Sequence, residues 1–470
     1  MNWTDRGHFI NGRWTGGRGG TPVENPFEET TFAQITAGTT GDIDAAVAAA
    51  RAAFPGWAAT PPLERAALVA RVADGLKTRM PELAEVIATE VGTPIKIAGP
   101  VQVGLPMTNA AGTAKAAESY AWEREIGNSR VVMEPVGVVA AVTPWNYPLH
   151  QAVAKVAPAI VAGCTVVLKP ADLAPLNALM LAEIFEAAGA PPGVFNVVTG
   201  PGRVIGEHLA THPGVDMLSF TGSTGVGGRL AALAARDIRR VSLELGGKSA
   251  AVVLDDAELE PAVKATVNAC LLNSGQTCSA LTRLIVPAGK MSKAAEIAAA
   301  VAGRMVLGDP MDPGTRQGPV ISSGQRDGIR QMIRAAESEA RLVAGGSDTP
   351  EGLSRGYFVR PTIFAEVHPD SALAQEEVFG PVLAIFGADD EDDAIAIANN
   401  SRYGLSGAVW SGDRDRAERA ARRMRTGQVE INGGRFNPAA PFGGFKQSGY
   451  GREIGVFGID DFVEPKALQF

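Results

Sequence analysis

The sequence predicts an α/β fold built on a parallel, doubly wound sheet, with a second α/β unit behind it. Two observations carry this. From residue 136 onward, short runs rich in β-branched residues alternate with segments of helical periodicity. Each early run also ends in a string of Gly, Pro, Ser or charged residues, and parallel sheets bind their ligands beyond the carboxyl ends of their strands.

Taken in order, residues 42–116 read as mostly helical. Asp42 is placed to cap IDAAVAAARAAF, whose apolar positions recur at helical spacing, and Pro62 and Pro81 stand where further helices begin. Residues 117–135 read as an extended excursion. The strands VGVVAAV (136–142), TVVLKP (165–170), VFNVVTG (194–200), MLSFTG (217–222) and VSLEL (241–245) follow. Helices near 148–162, 174–188, 203–211 and 224–236 separate them. A second set comprises AVVLD (251–255), LTRLIVP (281–287), VLAIFG (382–387), LSGAVW (405–410) and QVEIN (428–432). The tail after 440 is Gly-rich and closes on a strand, VEPKALQF.

Composition narrows the function. The chain has 470 residues, 46% hydrophobic and 20% charged, enough for about two or three domains. A net charge of −8 argues against nucleic-acid binding. No apolar run is long enough for a membrane span, and MNWTDRGHFING lacks the apolar core of a signal peptide. Cys164, Cys270 and Cys278 are the whole cysteine inventory, so no disulfide framework is expected and the cytoplasm is the expected compartment. The five histidines are scattered and there is no CxxC, so no metal site is expected.

Several strings carry chemistry. FTGSTGVG (220–227) follows a strand and opens a helix; Gly222 permits a tight turn, Ser223 and Thr224 can cap the helix, and its N-terminus suits a phosphate. The plainer reading is a Gly-rich connection. The G-x-G-x-x-G spelling is absent, and Ser242 excludes a P-loop at GGKS. Lys169, at a strand's carboxyl end, can reach a ribose hydroxyl or phosphate, or be a solvated loop lysine. Asp172 is a hydroxyl ligand or, more commonly for its type, a helix cap. Glu244 lies in an apolar run, where burial raises a carboxyl pKa into the range of a neutral-pH base; an outward Glu on an edge strand fits the same alternation. Asn146, between the prolines of TPWNYP, is a rigid amide suited to an oxyanion or to its own turn. Cys164 and Cys270 sit in apolar runs and read as core. Cys278, in NSGQTCSA, alone is flanked by Gly, Gln, Thr and Ser, where a thiol can react.

Singly these signals are weak; their order is specific. PWN, KP, FTGST, ELGGKS, GQTC, EEVFGP (376–381) and PFGGFKQSGYGRE (441–453) together resemble the NAD(P)-dependent aldehyde dehydrogenase superfamily, from FINGRW (9–14) to the final strand. The most specific part is GQTC following ELGGKS, with Cys278 34 residues beyond Glu244.

The resemblance implies roles. Cys278 resembles the nucleophile, Glu244 the general base and Asn146 the oxyanion donor beside the Cys278 N–H. Glu464, in FVEPK, resembles an accessory carboxylate near the base. For the cofactor, NAD preferred or NADP, it implies Thr143, Trp145, Asn146, Lys169, Asp172, Gly202, Phe220, Gly222, Ser223, Gly227, Leu245, Gly246, Glu377 and Phe379. Many NAD-preferring members carry Glu where Asp172 stands; Asp keeps the charge that repels a 2′-phosphate. The implied fold has a Rossmann-like doubly wound cofactor domain (1–116 and 136–246) and an α/β catalytic domain (247–447). A small β bridging or oligomerisation element (117–135 and 455–470) completes it, so a homodimer or dimer of dimers is expected. The expected partner is a small-molecule aldehyde, with Tyr147, His150, Gln151, Thr277, Ser279, Arg435 and Phe436 as pocket candidates. The alternatives are a coenzyme A-acylating enzyme, which needs no water-activating Glu244, and a cysteine hydrolase or esterase without redox chemistry.

Overall fold

A computed structural model describes residues 7–17 and 20–470. Residues 1–6 and 18–19, within the stretch 1–116 assigned above to the cofactor unit, lie outside the described residues.

The chain builds two large sheets. The first runs Gly449–Tyr450, Arg240–Glu244, Met217–Thr221, Val138–Val142, Thr165–Lys169, Phe195–Val197, His8–Ile10, Arg13–Thr15. Its five central strands are parallel, and all five are among the strands expected from sequence. The chain winds outward from Val138–Val142 to Phe195–Val197, then returns to add Met217–Thr221 and Arg240–Glu244 on the other side. The order therefore reverses between Val138–Val142 and Met217–Thr221, where a doubly wound sheet opens a crevice at its carboxyl edge.

The second sheet runs Arg341–Ala344, Thr362–Ala365, Val382–Ala388, Arg283–Pro287, Ala250–Val253, Gly407–Trp410, Glu430–Ile431. All of its pairs are parallel except the first. Glu123–Ile126, Ser129–Pro135 and the final strand Val463–Gln469 form a separate antiparallel sheet. The sequence reading missed Thr362–Ala365, Arg341–Ala344 and the hairpin of Thr21–Asn25 with Thr30–Ile35.

Local chemistry explains the helices that position the site. The helix Thr40–Ala58 is capped by Thr39 and not by Asp42: Asp42 is the third helical residue and returns a bond to the Thr39 N–H at 2.8 Å, a capping box. Pro62 is the first residue of Pro62–Thr78, and Pro81 the second of Met80–Val91. Pro148 opens the helix Pro148–Ala162, which Gly163 ends with a left-handed φ of 101°. This helix is apolar nearly all round because other layers cover it; the Trp57 indole donates to Ile160 O at 3.1 Å. Asp172 caps no helix. The next one begins at Leu176, and its first N–H groups go to the buried Glu90 carboxylate, Leu176 N at 3.0 Å.

Two clamps fix the strand that carries Glu244. The buried Arg283 guanidinium donates to Lys248 O, Ile397 O and Ala398 O at 2.8, 2.8 and 2.7 Å. The tail returns so that Leu245 N donates to Ser448 O at 2.9 Å and Ser448 Oγ to Gly246 O at 2.7 Å. Glu244 thus lies between Met217–Thr221 and the short strand Gly449–Tyr450, not on a bare edge. Among the described residues, no helix is long and apolar enough to cross a membrane.

Candidate active site

The loop that presents Cys278 is strained by construction. Asn273, Ser274 and Gly275 are all left-handed, with φ of 53°, 59° and 74°. Their side chains hold the strain. Asn273 Nδ2 donates to Asn146 O at 2.9 Å, its Oδ1 accepts from Thr93 Oγ1 at 2.6 Å, and Ser274 Oγ donates to Gly318 O at 2.8 Å. A side chain at Gly275 would strike the backbone at Gly380, 2.1 Å away. Gln276 completes the frame by accepting the Ile321 N–H at 2.9 Å.

Cys278 opens onto a cavity of about 670 Å³ at the crevice. Asn146, Trp145, Thr221, Gly222, Ser223, Leu245, Gly246, Glu377 and Phe379 line the same space. Cys164 and Cys270 are buried in apolar core. One of the two Asn146 amide hydrogens goes to Gln276 O at 3.0 Å, which ties the amide to the cysteine loop and leaves the second free. Phe379, left-handed at φ 52°, sets its ring edge-on to Trp145 at 5.4 Å.

The carboxyls around the thiol shape its chemistry. Burial, then the charges of Glu377, Glu244 and Glu453, push the Cys278 thiol up to about 12. Glu244 is 3% exposed, and neither carboxyl oxygen has a hydrogen-bond partner. Burial first, and the Glu453 charge second, raise its pKa well above the usual carboxylate range. Glu377 accepts the Gly247 N–H at 2.9 Å and is pushed up by burial to about 7. Gly246 makes this approach possible, since an added Cβ would lie 2.1 Å from Glu377 Oε2.

Two of the expected residues need correction. Glu464 is exposed on the final strand and paired with Arg240 at 2.5 Å, at the opposite end of the strand from Glu244. It is no neighbour of the base, because the final strand is drawn into the three-stranded sheet. The carboxyl that faces Glu244 is Glu453, buried and 2.6 Å from Lys155 Nζ. Lys155 inside a largely apolar helix was the signal, for a sealed lysine requires a counter-ion. Ser223 stands at the N-cap of Thr224–Ala234, but its side chain makes no capping bond.

The adenosine-side candidates gather around a second cavity of about 760 Å³ lined by Val142, Gly202, Phe220, Arg203 and Arg229. Lys169 is buried and paired with Asp172 at 2.8 Å, and Asp172 also accepts the Gly202 N–H at 3.3 Å. The hydroxyls of Thr143 and Thr221 are buried without partners. Gly227 packs on Leu245. Of the pocket candidates, Gln151 lines the cavity of Cys278, Tyr147 Oη lies 2.8 Å from Thr277 Oγ1, and Arg435 and Phe436 are exposed. His150 has a buried, unpartnered Nδ1.

The histidines are less scattered than expected. His208 Nε2 and His212 Nε2 lie 2.6 and 3.3 Å from Asp44 Oδ1 on the surface, a group that can hold a metal ion by geometry. Against ligation, His212 Nδ1 accepts the Gly214 N–H at 2.9 Å, which places the ring proton on the nitrogen that faces Asp44.

The sequence profile of the aldehyde dehydrogenase family matches residues 14–468. The chain belongs to the aldehyde dehydrogenase family. Its relatives agree along the full length. A 3-succinoylsemialdehyde-pyridine dehydrogenase of a Pseudomonas species is 45% identical over 472 residues, covering 98% of each chain. The crystal structure of an aldehyde dehydrogenase C mutant of Pseudomonas syringae, complexed with NAD+ and octanal, superposes with a TM-score of 0.98 at 43% identity, covering 99% of this chain and 97% of that one. The Mycobacterium tuberculosis aldehyde dehydrogenase complexed with NAD+ gives 0.96 at 40%, covering 100% and 99%. The chain is an enzyme of this family, and its substrate is a small-molecule aldehyde.

Proposed function

We propose that the protein oxidises an aldehyde to its carboxylic acid with NAD, through a thioester on Cys278. The observation that carries this is the sharing of one cavity by Cys278 and Asn146, with the unpartnered Glu244 carboxyl, next in sequence to the lining residues Leu245 and Gly246, near enough for its charge to raise the Cys278 thiol.

The crevice fits the cofactor. The N-terminus of Thr224–Ala234 has no side-chain cap, so its first N–H groups are free for a pyrophosphate. The paired Lys169 and Asp172 and the carboxyl of Glu377 would hold ribose hydroxyls, and the edge-on rings of Trp145 and Phe379 would wall the nicotinamide end. The Asp172 carboxylate disfavours a 2′-phosphate, which supports NAD over NADP. When bound, NAD supplies a hydride acceptor.

The side chains do the rest. Glu244, its pKa raised by burial, takes the proton of the Cys278 thiol and passes it on to solvent. The Cys278 thiolate attacks the aldehyde carbon. The resulting oxyanion meets the free Asn146 N–H and the Cys278 backbone N–H, each such donor contributing roughly 3–4 kcal/mol in the transition state. After oxidation the carbonyl is a thioester on Cys278; Glu244, its first proton passed to solvent, takes a proton from the attacking water, and the acid is released as the C–S bond breaks and the Cys278 thiolate leaves.

We assign residues 1–116 and 136–246 to the cofactor domain, 247–447 to the catalytic domain, and 117–135 with 455–470 to an oligomerisation element. The exposed Ile126, Leu468 and Phe470 on the three-stranded sheet support a homo-oligomer, a dimer or dimer of dimers. Three unpaired thiols support a reducing, cytoplasmic setting.

Mixing the protein with an aldehyde panel and NAD tests this reading through the absorbance of reduced nicotinamide. Turnover without coenzyme A supports it. No turnover with NAD or NADP overturns it, and turnover only with coenzyme A favours the acylating reaction.

A further inference from the structure

The backbone behind the Asn146 amide is gripped by side chains from two distant parts of the chain. Asn146 stands in the turn between Val138–Val142 and Pro148–Ala162. Gln102 Nε2 donates to Asn146 O at 2.9 Å, and Asn273 Nδ2 donates to the same oxygen at 2.9 Å. Gln102 Nε2 also donates to Thr93 Oγ1 at 3.3 Å, and Thr93 Oγ1 donates to Asn273 Oδ1 at 2.6 Å. Gln102, Asn146, Asn273 and Thr93 thus close a ring of hydrogen bonds, each residue no more than 3% exposed.

The ring runs in one sense only. A backbone carbonyl accepts and cannot donate, so Gln102 and Asn273 must both present N–H to Asn146. Asn273 is then left with an acceptor towards Thr93, which fixes the Thr93 hydrogen on that bond. Asn146 is held at both ends, its carbonyl by the ring and its amide by Gln276 O at 3.0 Å.

Gln102 reaches the ring from a single π-helical turn, Ala98–Val103, in which Gly104 N donates to Gly99 O five residues back. Such turns are rare inside helices and cluster at functional sites. Gln102 lines neither cavity described above, and its Oε1 is buried without a partner. A residue kept only to fill the core would leave no polar atom unpaired. What glutamine supplies here, and an apolar side chain of its size does not, is the donor to Asn146.

We propose that Gln102 is a positioning residue: with Thr93 closing the ring, it fixes the Asn146 turn so that the free Asn146 N–H points at the oxyanion. This rests on the dehydrogenase function proposed above and adds to it a residue that touches neither substrate nor cofactor.

The test is a double-mutant cycle of Gln102→Met with Asn146→Ala, read as kcat, melting temperature and NAD binding by calorimetry. Asn146→Ala keeps the backbone carbonyl, so the ring remains and only the aimed amide is lost. With Asn146 present, Gln102→Met lowers kcat about tenfold, a part of the roughly 10²–10³-fold that one oxyanion donor is worth. In Asn146→Ala the same change lowers kcat by no more than about twofold. Melting temperature falls equally in the two backgrounds, and NAD binding stays within about twofold in both. Equal kcat losses in the two backgrounds show a merely structural role and overturn the proposal, as does an unchanged kcat with Asn146 present. If Gln102→Met does not fold, Thr93→Val replaces it, opening the ring at the corner opposite Asn146 in a side chain of the same shape. A kcat loss of about threefold confined to the background with Asn146 is then expected, and a loss in both backgrounds or in neither overturns the proposal. Failure of the wild type to reduce NAD with any aldehyde overturns the dehydrogenase function and this proposal together, whereas wild-type turnover with equal losses overturns this proposal alone.

Discussion

Lys155 Nζ lies 2.6 Å from Glu453 Oε1, and both residues are almost sealed from solvent. The pair faces Glu244 with opposing effects: the Glu453 charge raises the Glu244 pKa and the Lys155 charge lowers it. Glu453→Gln removes the raising charge and keeps the lowering one. The Glu244 pKa falls, so the acid limb of the kcat profile moves to lower pH. The same change strands a buried cation, which costs about 3–5 kcal/mol in stability. Paired pH profiles and melting curves of the two proteins check both effects.

Cys278→Ala removes the nucleophile and leaves the cofactor crevice intact. Turnover falls by at least about 10³-fold, while NAD binding by calorimetry stays within about twofold. Full-rate turnover in this variant would refute the role of Cys278.

Asn146→Ala deletes the free amide N–H and the tie to Gln276 O. The expected loss is about 10²–10³ in kcat, with a smaller change in KM, because the donor acts on charge that develops only after attack. A loss confined to KM would place Asn146 in ground-state binding.

Glu90 gives a pH signature in stability. Burial pushes this carboxyl up to about 7, despite its bonds to Asn177 and the N–H groups of Leu176 and Asn177. Its folded pKa lies above the ordinary value of 4.5, so its contribution is full below that value and is lost as pH rises towards 7. The loss amounts to about 3 kcal/mol. Glu90→Gln flattens this part of the stability–pH curve between pH about 4.5 and 7, measured by denaturant unfolding in matched buffers.

Much of this was legible because it is local. The parallel strands announced themselves by β-branched runs, and Cys278 by a polar turn that no core cysteine would occupy. What the sequence hid was long-range. Glu453 reaches Lys155 across 298 residues, and no pattern near either one names its partner. Glu464 lies only a few residues along the tail, yet the final strand carries it into another sheet. Asp172 read as a helix cap or a hydroxyl ligand, with capping favoured because Asp is a common cap residue. The cap came instead from Glu90, on a different helix. Thr362–Ala365 is a strand of four residues, all buried, too short to show alternation.

Cys278 as acyl carrier and Glu244 as the base that releases the acid form the centre of the account. Glu244→Gln mixed with an aldehyde and NAD, quenched in acid within one turnover and digested, tests them together by peptide mass. The account predicts a burst of reduced nicotinamide close to one per site and a slow steady state. It also predicts the mass of the acyl group on the peptide that contains Cys278. A burst with no adduct there, or an adduct on another residue, would contradict it.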